Sequence, residues 1–379
     1  MSIFANALLR TKFYSNSRLI ESCRSFRVTQ VVNLYSPAAL GIDGYLQTRK
    51  RAKEQFTNYS DKFRTKMNEF VDSDNMIFTE DLKNMVHLAE PTDLQLILNM
   101  VKKFNSQNTE FRFGSFIFGP VVMRMFHFLD APNEALQCFN DSKNNGFFDQ
   151  LVSYQILLDL LYSHEMYDDM YKVFDMVQVK QFNMTKFPKY SVVLILAACF
   201  KQNTPASLEY ASKLWTEMAS AGSAPVRRAC TYFAALALKQ GAPHIAIESI
   251  STQKQHYVTI RNIKAMALAD MGRVEDTLPI LRGVLDIDSP MQKDKHTFFE
   301  ETVERVRLAV EKSNNKDVQR QFDDIEKALK DRGLIDSNKT LDELLNSEIA
   351  IPKPQNQGRG QSYQFKRSQF TQRQKKRLM

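Results

Sequence analysis

Along the middle of the chain a small residue stands four positions before a bulky one: Ala135 before Phe139, Ala211 before Trp215, Ala246 before Ile250 and Thr277 before Leu281, with a degenerate copy at Met170 and Phe174. The intervals between copies are 35, 41, 35 and 31 residues. Residues four apart lie on one helix face, and a fixed period of this length marks a supersecondary unit used repeatedly. The small residue lets a neighbouring helix approach while the bulky one fills a groove, as the second helix of a two-helix unit requires. Such units bury their apolar faces only against one another. The expected fold is therefore all-α, an α-solenoid of stacked helix-turn-helix repeats whose function resides on a surface made by stacking.

Local punctuation supports the same division. Pro132, Pro205 and Pro243 precede three of the marked pairs, at the first-turn positions where a missing N–H costs nothing. Gly146 and Gly222 follow two second helices, where a left-handed residue closes a helix. First helices are predicted over residues 119–128, 152–163, 190–202, 229–240 and 258–271, each amphipathic or wholly apolar. Upstream, residues 79–89 and 92–104 form a further pair with Thr79 and Thr92 as N-caps.

The net charge of +8 sits at the ends. Residues 1–42 carry +4 and residues 352–379 carry +8, which leaves −4 on residues 43–351. Any anion contact by the repeats must come from a local stripe. The first 30 residues combine Arg, Ser and apolar residues with a single acid, Glu21, and read as a mitochondrial transit peptide. The last segment interleaves cations with Tyr363, Phe365 and Phe370, a composition that cannot bury a core and that suits single-stranded nucleic acid. The longest apolar run, residues 191–200, is about half a membrane span, so no membrane insertion is expected. Cys138, Cys199 and Cys230 fall in apolar stretches and are expected to be reduced core residues.

Val152, Tyr154, Gln155 and Asp159, followed by Val173 and Phe174, and the run Leu214, Trp215, Met218, Gly222, Pro225, resemble pentatricopeptide repeats. Their consensus opens Val-Thr-Tyr-Asn and closes Phe-x-x-Met-x-x-x-Gly-x-x-Pro-Asp. The blocks at residues 111–126 and 146–149 narrow the likeness to a mitochondrial member of that family, and the resemblance spans residues 65–310. A tetratricopeptide array would carry its Trp in the first helix, whereas Trp215 falls in the second. The resemblance implies a non-catalytic protein of the mitochondrial matrix that binds single-stranded mitochondrial RNA and assists transcript maturation, processing or stability, and so respiratory-chain function. RNA-processing proteins or the mitochondrial ribosome are the implied protein partners.

In such arrays each repeat faces one base and two or three side chains read it. The fifth position of the first helix falls on Gln155, Thr231 and Asn262, and on Ser191 or Tyr190 in the unit with the longer interval; final positions fall on Gln150, Thr185 and Val226. Gln150, Gln155, Thr185, Ser191, Thr231 and Asn262 are the expected base readers. Pro120 and Val226 depart from the pattern because neither side chain can hydrogen-bond a base. Lys186, Lys189, Arg227, Arg228, Arg261 and Lys264 recur near the starts of first helices and form the expected phosphate stripe.

No nucleotide-binding loop, paired-histidine zinc motif or serine elbow occurs, so no catalysis, metal or cofactor is expected. His87 and His127 are expected as core or surface residues. The layout is a presequence at 1–30, an N-terminal extension at 31–64, the solenoid at 65–286, capping helices at 287–345 and a disordered basic tail at 346–379. Two other roles suit the same fold: a structural component of the mitochondrial ribosomal small subunit, and a protein-binding scaffold.

Overall fold

The computed structural model describes residues 33–73, 75–107, 116–254, 257–286 and 297–350; the expected presequence and the tail from 351 onward lie outside the described residues. The chain enters through three helices, α1 (Pro37–Leu40), α2 (Ile42–Gln55) and α3 (Ser60–Asp72). Paired helices follow: α4 (Thr79–Leu88) with α5 (Leu94–Ser106), α6 (Gly119–Phe128) with α7 (Pro132–Asn140), and α8 (Leu151–Ser163) with α9 (Tyr167–Lys180). Next come α10 (Lys189–Gln202) with α11 (Pro205–Ser220), α12 (Arg227–Lys239) with α13 (Pro243–Ile250), and α14 (Val258–Asp270) with α15 (Val274–Leu285). The described chain closes with α16 (Glu300–Ser313), α17 (Lys316–Asp331) and the short α18 (Leu341–Leu345). The repeat period therefore produced what it predicts, an all-α solenoid.

Leading helices α6, α8, α10, α12, α14 and α16 each pack on the next, whereas among trailing helices close approach is confined mainly to α5 with α7 and α15 with α17. A row that touches and a row that splays make the leading helices the inner wall. Pro132, Pro205 and Pro243 do stand at the starts of α7, α11 and α13, and Gly146 and Gly222 are left-handed at φ 80° and 64°. Ala135, Met170, Ala211, Ala246 and Thr277 are each buried at the hairpin contacts. Two caps differ from expectation. Phe78 rather than Thr79 precedes α4, with the Asp81 carboxylate accepting from its N–H at 3.1 Å. Thr92 lies inside a 3-10 turn, Pro91–Asp93, closed by Asp93 accepting from the Glu90 N–H at 2.9 Å.

The inner helices are apolar nearly all round. In α10 every residue from Ser191 to Phe200 is buried, and in α8 Ile156, Leu157, Leu158, Leu160 and Leu161 are. Each buried Val, Leu, Ile or Phe among them contributes about 1.5 to 3 kcal/mol of transfer free energy. Cys138, Cys199 and Cys230 are buried in the hydrophobic core, where burial pushes the thiols of Cys138 and Cys199 up to about 12 and that of Cys230 to about 11, so they are inert fillers. Gly119 opens α6 where it meets the next repeat. A Cβ there would sit 2.7 Å from the Phe147 carbonyl oxygen and 2.9 Å from Ser153 Oγ, with Gln150 Oε1 nearer still. The carbonyl cannot swing aside, so Gly119→Ala is expected to lower stability by about 1 to 3 kcal/mol in chemical denaturation.

Helices α16 and α17 extend the array as its last hairpin, around Phe298, Val303, Val306, Val310, Phe322, Ile325 and Leu329. Leu308, on the outer face of α16, is 48 % exposed. A parallel pair of two-residue strands, β1 (Phe298–Phe299) and β2 (Ile335–Asp336), ties the entry of α16 to the exit of α17. Arg305 donates twice to Asp270, at 2.6 Å each, and fastens α16 to α14.

Candidate nucleic-acid interface

Two surfaces of the leading helices bear on function: the inner wall and the edge formed by their first turns. The wall is covered by the chain's own flanks. From the N-terminal side, Tyr35 donates its N–H to Asp159 Oδ1 in α8 at 3.0 Å, its ring meets Tyr190 edge-on at 5.8 Å, and Arg124 of α6 donates to the Leu40 carbonyl at 2.8 Å. From the C-terminal side, Leu341 donates its N–H to Glu301 of α16 at 2.7 Å, and Lys239 at the end of α12 pairs with Asp342. Tyr232 donates to the Leu345 carbonyl at 2.6 Å, and Arg228 donates to the Leu344 carbonyl at 3.2 Å and to Ser347 Oγ at 3.3 Å. The flanks meet in the middle as a single parallel bridge, Tyr35 beside Ile349, with Ile349 N–H donating to Leu34 and Ser36 N–H to Ile349. Residues 346–350, assigned from sequence to the basic tail, thus belong to the packed wall.

This cover decides where the expected readers lie. Ser191, Thr231 and Asn262 are buried at 0 %, 1 % and 0 % exposure. Thr231 Oγ1 donates to the Arg228 carbonyl at 2.9 Å. Asn262 is a three-way joint: Nδ2 donates to the Val258 carbonyl at 2.8 Å, while Oδ1 accepts from Phe299 N–H at 2.9 Å and Thr302 Oγ1 at 2.7 Å. Asn262 thus joins the hairpin of α14 to that of α16, Thr231 bonds within its own helix, and all three side chains are covered as packed here. Gln150, Gln155 and Thr185 are half-buried at or near the first turns. Gln150 leans on Gly119, and Thr185 Oγ1 accepts from Phe187 N–H at 3.3 Å.

The expected cations divide in the same way. Arg261 is 3 % exposed, its guanidinium 5.3 Å from the Phe298 ring, and burial depresses it to about 10; Arg228 is committed to the C-terminal flank. Neither belongs to an open stripe. Lys264 is half-buried on α14. Lys186, Lys189 and Arg227 remain exposed. Lys186 pairs with Glu217 at 3.0 Å beside Lys213, in a shallow cleft floored by Phe187. Lys189 opens α10 and makes no ion pair among the described residues. Arg227 lies flat on Tyr257 at 3.9 Å, and burial beside that ring lowers its pKa. Tyr190, the alternative fifth-position residue, is 46 % exposed on the same edge.

Sequence reasoning missed Tyr35, Arg124, Tyr232, Lys239 and the clamp role of Asp159. The available signal was a polar side chain inside an otherwise apolar helix, since a buried polar group has a partner. His127 behaves as expected of a core histidine, its Nε2 lying 3.0 Å from Asp159 Oδ2. Among the described residues no helix is long and apolar enough to cross a membrane.

Stacked helical hairpins at a mid-thirties spacing, with leading helices inside and cations at their first turns, define an all-α repeat solenoid. The chain is similar to pentatricopeptide repeat-containing protein 2, mitochondrial, in several vertebrates. It is 30% identical to the Mus musculus protein over 235 residues, 61% of each chain, and 27% identical to the Homo sapiens protein over 237 residues, 62% of this chain and 60% of that one. The Xenopus laevis protein is 26% identical over 275 residues, 71% and 70% of the two chains. The match thus spans about three-fifths of the mouse and human relatives. No family model matches the chain.

Proposed function

We propose that this chain is a non-catalytic mitochondrial matrix protein that binds single-stranded RNA and assists transcript maturation and so respiratory-chain gene expression. The observation that carries the reading is the exposed edge at the starts of α10, α12 and α14, where Lys186, Lys189 and Arg227 stand with the rings of Tyr190 and Tyr257. Cations meet phosphates and rings stack on bases in sequence-tolerant single-strand binding. Gln150, Gln155 and Thr185 lie at the same ends of their helices and supply the polar contacts. The names of the similar vertebrate proteins support the mitochondrial setting and the repeat type.

The test is the double substitution Lys189→Glu with Arg227→Glu, which leaves the covered wall intact. Affinity for an oligouridylate is expected to fall, and the salt dependence to flatten by about 0.7 in log–log slope for each phosphate no longer neutralised. Unchanged affinity and slope would move function to protein partners. The scaffold reading has one observation in its favour, that the inner wall already grips a peptide segment. Crosslinking by ultraviolet light that recovers no RNA from the intact chain would select it, and stoichiometric co-sedimentation with the small ribosomal subunit would select a structural ribosomal role.

A further inference from the structure

The inner wall is donor-rich along one stretch. Arg228, Tyr232 and Lys239 project from one face of α12, and each donates to an oxygen of residues 342–347: the carbonyls of Leu344 and Leu345, the Ser347 hydroxyl and the Asp342 carboxylate. Arg124 on α6 does the same to the Leu40 carbonyl of the N-terminal flank. A row of acceptor oxygens held by guanidinium, ammonium and phenol groups is the pattern that a nucleic-acid backbone also presents. The wall's acids lie on other helices, Asp159 on α8 accepting the Tyr35 N–H of the N-terminal flank and Glu301 on α16 accepting the Leu341 N–H of the strap.

We infer that the α12 wall is a second anionic-backbone site, occupied in cis by residues 341–349 acting as a strap, and that single-stranded RNA and the strap compete for Arg228, Tyr232 and Lys239. This rests on the RNA reading above and adds a masked site to the exposed edge. Besides those donors and the Leu341 N–H to Glu301, the strap is held by two buried leucines one helical turn apart, Leu341 and Leu345, and by one backbone bridge at Ile349. Its release uncovers the donors without unstacking any hairpin, because no repeat helix is part of it.

Three full-length variants test the competition with a labelled oligouridylate. Leu345→Asp with Ile349→Pro removes an anchor and the bridging N–H, while Tyr232→Phe removes one donor bond and loosens the strap more gently. Both are expected to exchange the Ile349 region faster, or the flanking amides where proline replaces it. If the open form is about 1 to 10 % populated in the native chain, the fully opened variant binds about 10- to 100-fold tighter, with a steeper salt dependence, and Tyr232→Phe, which also takes one donor from the uncovered site, gains less. Adding Arg228→Ala and Lys239→Ala to the opened variant is expected to cancel the gain. Faster exchange with unchanged or weaker binding, or a gain that survives removal of both cations, overturns the masked site. A native chain that binds through Lys189 and Arg227 but shows no gain on opening overturns this inference alone, and absence of RNA binding in native and opened forms overturns both readings.

Discussion

Asp159→Ala is expected to be among the most destabilising single substitutions in the chain, costing about 3 to 5 kcal/mol. The carboxylate is fully buried within α8, accepting the Tyr35 N–H at 3.0 Å on one oxygen and facing His127 Nε2 at 3.0 Å with the other. Alanine leaves both groups buried without a partner and opens a cavity among leucines, and these costs act together. Asp159→Asn separates them. Its Oδ1 still accepts from Tyr35, and a change of imidazole tautomer lets His127 Nε2 accept from the new amide, so the loss should shrink to about 1 to 2 kcal/mol. Chemical denaturation of the two variants measures the difference. Because Tyr35 is where the two flanks meet, hydrogen exchange near Leu34 and Ile349 should rise more in the alanine variant than exchange in the distant α16. Equal losses for the two variants would mean that the pair contributes volume rather than hydrogen bonding.

The hairpins were legible in the chain because each is specified locally. Apolar runs of a dozen residues bounded by Pro132, Pro205 or Pro243 on one side and Gly146 or Gly222 on the other determine where helices start and stop, and the observed leading helices fall within two residues of the predicted spans. The wall's occupant was not legible, because its contacts join residues more than 100 positions apart, as with Tyr35 and Asp159 or Tyr232 and Leu345. Reading Ser191, Thr231 and Asn262 as base readers assumes an open groove, and a filled groove turns the same positions inward. The polar composition after Ile335 disguised Leu341, Leu345 and Ile349, whose spacing of four repeats the apolar stripe of the helices they cover. Lys186, Lys189 and Arg227 are exposed, and Arg227 stays so although the next residue, Arg228, is held by the strap, because successive residues of a helix point about 100° apart.

Asn262 separates a structural from a reading role more sharply than any other residue. Asn262→Ala removes the acceptor of Phe299 N–H and Thr302 Oγ1 and the donor to Val258, all at a position with no exposure. Two buried donors left unpaired, each worth about 1 to 3 kcal/mol, place the loss at about 3 kcal/mol or more. The loss should be local. Phe299 and Thr302 begin α16, so the hairpin of α16 and α17 is expected to exchange its amides faster while the hairpins before α12 hold, as nearest-neighbour coupling in a solenoid requires. Thr302→Val alone removes one of the donors, so combining it with Asn262→Ala should cost less than the two separate losses, with a coupling of about 0.5 to 3 kcal/mol in a double-mutant cycle. Under conditions where the variant stays folded, affinity for RNA through the α10 and α12 edge should match that of the native chain. A variant of native stability with weakened RNA binding would return Asn262 to the role its repeat position implies, and would require the wall to open when RNA binds.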